Sequence, residues 1–280
     1  MNLAPFVRGS IVAAAGAPML ACASLGGLTG GGSDAAADDA MAHDASHGMV
    51  GTDAARDVGT RAEAGEIPPI TCVDSSSNDV TTAGSISGNQ PPGAREGDLL
   101  LALLSSDDIN GSAAPPSGWT RVAYEGDGVS GSQVWLYSHV VAAAEPTTNT
   151  FKVTSAADLS LIITAYRNVH PAPAQFDVAP VAQPPQTAPE DAGLVTFTSA
   201  AVSTTVANAM VLVMFFDTNG SDPTLASTGL SSCGGDDSSD FLVTGYVLQA
   251  SPGPTGTFEA SDMNGPGTHY ITITAALEPL

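Results

Sequence analysis

Two short runs, Leu99-Leu-Leu-Ala-Leu-Leu104 and Met210-Val-Leu-Val-Met-Phe-Phe216, are apolar at every position. Both fall well short of the ~20 apolar residues that cross a bilayer. Unbroken apolarity over so few residues suits a strand covered on both faces. Around these runs lie stretches rich in Val, Ile, Thr, Phe and Tyr, separated by clusters of Gly, Pro, Asn, Asp and Ser. That is the pattern of strands and turns. It places strands near 70–73, 99–104, 120–124, 133–141, 149–154 and 159–166. A second set falls near 195–198, 210–216, 241–248, 256–260 and 270–277. No long window carries a helical period. Alternation in Val134-Trp-Leu-Tyr-Ser-His-Val and in Tyr270-Ile-Thr-Ile-Thr-Ala-Ala-Leu predicts one exposed face for each. The expected class is all-β: a two-sheet antiparallel sandwich, jelly-roll-like, over residues 67–280. That stretch is long enough for a real core.

Parts of the domain recur. Ala102 in its apolar run corresponds to Val213, Pro146-Thr-Thr-Asn-Thr-Phe151 echoes Pro254-Thr-Gly-Thr-Phe258, and Leu161-Ile-Ile-Thr-Ala echoes Ile271-Thr-Ile-Thr-Ala. The spacings are 111, 107 and 110 residues. They point to two duplicated halves; the alternative is that sandwich strands simply resemble one another.

The first 22 residues read as an export leader. Arg8 is the only charge before an apolar run from Ile11 to Ala21, and small residues surround Cys22. Leu20-Ala-Cys22 resembles the lipobox of bacterial lipoproteins, with Met19 where that family usually has Leu. The resemblance implies acylation of Cys22 and, with Ala23 next, an outer-membrane destination. The alternative is ordinary cleavage and a secreted product. Residues 23–66 carry eight acids against two arginines and almost no large apolar residues. They read as a disordered acidic tether spanning roughly 35–40 Å as a flexible coil. The order Gly97-Asp-Leu-Leu-Leu, Pro116-Ser-Gly-Trp-Thr, the Tyr137 strand and Ala165-Tyr-Arg-Asn-Val resembles a further module. It is a β-sandwich found in bacterial exported proteins and in phage tail or surface proteins. That resemblance implies a fold and an exposed binding role, and supplies no catalytic residues.

Residues 67–280 hold four cations, Arg95, Arg121, Lys152 and Arg167, against 21 acids. Such a domain repels nucleic acid and anionic lipid, so the membrane is met only through the N-terminal lipid. With one lysine in the chain, the usual lysine protection of sheet edges is missing. Cys72 and Cys233, in an oxidising compartment, are expected to form a disulfide; the alternative is two buried free thiols. Asp217, Asn219 and Asp222 present oxygens at alternating positions of a tight loop and are candidate Ca²⁺ ligands; the alternative is a polar turn. Segments 107–110 and 236–240 are further acidic clusters. Tyr124 and Trp135 flank a Gly/Ser-rich turn and are candidate ligand-stacking aromatics; the alternative is packing. His139, His170 and His269 look isolated, and no nucleophile elbow, zinc helix or phosphate loop occurs. The expectation is a surface-tethered, non-enzymatic module for carbohydrate or another extracellular ligand. A protein-adhesive module and a glycan hydrolase are the alternatives.

Overall fold

The computed structural model describes residues 68–107, 111–128, 131–188, 193–218, 223–234, 238–239, 241–262 and 268–280. All belong to the compact unit Thr60–Leu280. Cys22 and the tether lie outside the described residues, as do Asn219 and Asp222. Among the described residues the chain is all-β. The first half contributes β1 (Thr71–Asn89), β2 (Leu99–Ser106), β3 (Ala113–Ala114), β4 (Thr120–Gly126), β5 (Gln133–Val140) and β6 (Thr148–Arg167). The second contributes β7 (Phe176–Thr187), β8 (Val195–Thr198), β9 (Ser203–Thr204), β10 (Ala209–Asp217) and β11 (Thr224–Leu225). It continues with β12 (Ser238–Ser239), β13 (Leu242–Gln249), β14 (Gly253–Pro254), β15 (Glu259–Asp262) and β16 (His269–Leu277).

Two antiparallel sheets form the sandwich, in the orders β1-β6-β2-β5-β4 and β12-β13-β10-β16-β7. Each half therefore places its first long strand at an edge, its last beside it, and its apolar run in the centre. The ladders agree residue by residue. Leu103 pairs with Ile162, and Met214 with Ile273, so central and last strands both repeat at 111 residues. The 110-residue match between the two Thr-Ala strands is off by one. Such a slip exchanges the faces, because strand side chains alternate with period two.

The inner faces meet in one cluster holding Leu99, Leu101, Leu103, Leu136 and Ile162 from one sheet. Met210, Leu212, Met214, Phe216 and Ile273 come from the other. Burying each such side chain is worth about 1.5–3 kcal/mol. At one side β1 lies against β12, and at the other β4 lies against β7. An approximate two-fold axis along the strands thus exchanges the halves, with β2 facing β10.

The outer faces are covered too, which corrects the expectation that β5 and β16 each expose one. Residues 133–138 of β5 and 270–277 of β16 are buried throughout. In the first half β1 and β6 are long enough to bend back over their own sheet, the bend falling at register shifts between Val80 and Ser85. Ile86 and Phe151, partners on that arm, join the cluster of Leu100, Leu104, Trp135 and Ile163. Gly88 sits so close to Leu161 and Ile163 that a Cβ would come within 2.8 and 2.7 Å of their methyls. In the second half the small sheet β11-β15-β8 does the covering, and Phe197 stacks on Tyr270 with centroids 3.9 Å apart.

Edges are protected without lysine. Prolines 180, 184 and 185 stud β7, which suits an edge strand that donates to one side only. On β1, Ser76 Oγ and Asn78 Nδ2 donate to the carbonyls of Asn89 and Ser87, at 2.6 and 2.8 Å.

Candidate binding site

Strands β2, β4 and β10 end, and β5, β13 and β16 begin, at one end of the sandwich. Asp107 and Asp217, where two of the acidic segments start, lie at that end, and residues 108–110, 219–222, 236–237 and 240 of the three segments are outside the described residues. Asp217, the last residue of β10, is fully buried, and its backbone N–H donates to Phe241 O at 2.9 Å. Among the described residues no group of three or more His, Cys, Asp or Glu is placed to hold a metal ion. The halves are joined here by His269, whose Nδ1 donates to the Asp127 carboxylate; both side chains are nearly buried. His269 looks isolated in the sequence because its partner is 142 residues away.

The two candidate aromatics separate. Trp135 is 1% exposed within the outer core of the first half and presents no face to a ligand, a correction whose cause is the arm folded over that sheet. Tyr124 is 46% exposed. Its ring leans on Trp135 at 5.7 Å, its hydroxyl donates to Gln133 Oε1, and the Arg121 guanidinium lies 5.7 Å over it. A neighbouring buried ring, Tyr137, is pushed up to about 12 by burial, an effect that Arg121 partly offsets.

The contacts between the halves differ at the two sides. At the β1 side Cys72 and Cys233 form the expected disulfide, with Cα atoms 5.7 Å apart. Ser75 Oγ also donates to Cys233 O. The ladders identify the matching residues opposite. Cys72 pairs with Tyr166, and Phe176 with Leu277, at matching places in β6 and β16. Ser231 bridges Tyr246 as Thr120 pairs with Ser138, so Cys233, two residues on, matches the bulge at Val122 and Ala123 of β4. Where one side has a disulfide, the other has Phe176 and Val122.

Those two residues line a groove of about 550 Å³. Its other walls come from Thr120, Ser138, His139, Val140, Pro173 and Gln175. Gln175 Nε2 donates to Ser138 Oγ at 2.9 Å, linking the segment before β7 to β5. His139 has both ring nitrogens engaged, Nδ1 with Gly118 O at 3.0 Å and Nε2 with Glu145 Oε2 at 2.7 Å, and its ring stacks on Trp119. Both ring nitrogens are thus occupied by acceptors of the protein itself. A second groove, of about 280 Å³, includes Arg95, Asp98, Arg167 and His170. There Arg167 grips buried Asp98 through Nε and Nη2 at 2.9 and 2.8 Å, which raises the guanidinium pKa further.

Sequence reasoning missed Gln175 and Phe176 because they open a proline-rich strand that looks like a loop. It missed the pairing of His139 because nothing local marks Glu145 as its partner. Comparison with known proteins finds no matching family model, no similar curated protein and no similar solved structure.

Proposed function

We propose that this chain is a surface-tethered, non-enzymatic binding module for carbohydrate or another extracellular ligand. In this reading Cys22 carries the lipid, residues 23–66 lift the domain from an outer membrane, and the sandwich presents its ligand site outward. The observation that carries the reading is the groove between the halves. Small-molecule sites are clefts of about 300–1,000 Å³, mostly apolar with a few placed polar groups, and favour interfaces between structural units. Edge-to-edge adhesion has less support, given the prolines on β7 and the side-chain caps on β1.

The test is a glycan array probed with the full chain, once with calcium and once with chelator. Binding in either condition supports the module. Dependence on calcium would bring Asp217, Asn219 and Asp222 in as ligands. Silence in both overturns the carbohydrate reading. For the anchor, Cys22→Ser is expected to release the protein from membranes; retention of the variant would overturn lipid attachment.

A further inference from the structure

The two sides of the sandwich are built on one plan, yet one is joined covalently and the other is hollow. Phe176 and the bulge at Val122 and Ala123 stand where Cys72 and Cys233 stand opposite, and Phe176 and Val122 wall a groove instead of closing it. The groove is also chemically unlike the rest of the surface. The domain carries 21 acids against four cations, but among the described residues no Asp, Glu, Lys or Arg lines this space. Glu145, the carboxylate bonded to His139 of the groove wall, is held by His139 Nε2 and by the N–H of Ala142 at 3.1 Å. Arg121 lies over Tyr124, and Arg167 is bound to Asp98. A ligand with net charge of either sign would find no Asp, Glu, Lys or Arg partner among the described residues that line the groove.

What the lining does offer is hydroxyl, amide and apolar surface together: Thr120, Ser138 and Gln175 beside Val122, Val140 and Phe176. Hydroxyls and amides both donate and accept, the requirement for binding a polyol. Apolar walls match the C–H faces of a sugar ring and exclude water from those hydrogen bonds. We propose that this groove is the ligand subsite of the module and that it takes an uncharged saccharide. The inference rests on the binding reading above and adds the place and the chemical class.

The experiment titrates the purified full chain calorimetrically with maltotriose and cellotriose, with trigalacturonate as the charged counterpart, and with tri-alanine as an uncharged peptide. Each is repeated on Val140→Trp and on Thr120→Trp, which add bulk to the groove at positions with exposed side chains. Thermal midpoints confirm that both variants fold, and whichever folds like the parent is used. The expected result is binding of a neutral trisaccharide that weakens at least about tenfold, or ~1.4 kcal/mol, in the bulky variant. Neutral-sugar binding unchanged in the variant overturns the placement and leaves the module reading intact. Preference for trigalacturonate or tri-alanine overturns the chemical class. No response to any of the four, alongside a positive array, overturns this subsite alone. A silent array removes the carbohydrate reading with it.

Discussion

Cys72 and Phe176 hold matching positions on the first strands of the two halves, and they do opposite things. Cys72 ties its half to the other through Cys233, whereas Phe176 walls an open groove with Val122. The contrast shows that the repeated topology fixes where the halves meet, while single residues fix whether a meeting place is sealed or hollow. A site can thus open at one side without loss of the interface, because the shared core and the covalent link at the far side hold the halves together.

The largest effect should follow from removing the link. Cys72→Ala with Cys233→Ala is expected to lower stability by about 4–5 kcal/mol, since the loop between them is long. Chemical denaturation of parent and variant gives the difference. A loss below 1 kcal/mol would mean that the core alone joins the halves and that the contrast between the sides is cosmetic.

Next in size is an alkaline effect in the first half, whose strands β4 and β5 form one wall of the groove. Tyr137 and Gly245 occupy equivalent places, opposite Ala102 and Val213 in the centre of each sheet. Tyr137 is fully buried and donates to Ala113 O at 3.2 Å. Its pKa of about 12 lies above the unfolded value of 10.0, so both states keep the proton below pH 10 and no stability is lost there. Between pH 10 and 12 the unfolded chain ionises first, and roughly 3 kcal/mol should drain away. Tyr137→Phe should flatten that part of the stability profile; an unchanged slope would place the buried proton elsewhere.

A smaller loss is expected beside the disulfide. Gly234 has φ of +80°, and an added Cβ would fall 2.1 Å from Asp74 Oδ1. That oxygen already accepts the N–H of Ser75 at 2.9 Å. Gly234→Ala should cost about 2 kcal/mol through backbone strain and displacement of Asp74. The measurement is the denaturation midpoint of the oxidised protein, and a neutral result would mean that this side is looser than its cross-link suggests.

The sequence carried the sheets better than it carried the site, for physical reasons. Central strands are marked by composition: the unbroken runs at 99–104 and 210–216 lie inside β2 and β10. The 195–198 reading coincides with β8. Where local chemistry argued against a strand, the reading fell short. Most of β1 is Ser, Thr, Asn, Asp and Gly, and β7 contains three prolines, yet both pair along one side as edge strands. Thr154-Ser-Ala-Ala-Asp158 looks like a break between two strands, but long-range pairing with β1 carries β6 through it. Alternation located β5 and β16 correctly and misjudged their exposure, since no local pattern reveals a second layer. The groove was hidden for the same reason. It is made by residues from β4, β5 and the approach to β7, each ordinary where it stands in the chain.

The smallest effects give the sharpest test of whether the two sides act independently. Ser75 Oγ–Cys233 O spans the linked side, and Gln175 Nε2–Ser138 Oγ spans the hollow one. Removing either by Ser75→Ala or Gln175→Ala should cost about 1 kcal/mol, with more if the abandoned partner stays dry. In the background lacking the disulfide the two should diverge. Ser75 donates to the carbonyl of a bridged cysteine, so its contribution should change by at least ~0.5 kcal/mol once that loop is freed. Gln175 shares no partner with the cysteines and lies at the opposite side, so its cost should stay the same within about 0.3–0.5 kcal/mol. Coupling of Gln175 to the distant disulfide would mean that strain passes through the core from one side to the other. The groove would then be shaped by the link, and its width would have to be understood as a property of both halves at once.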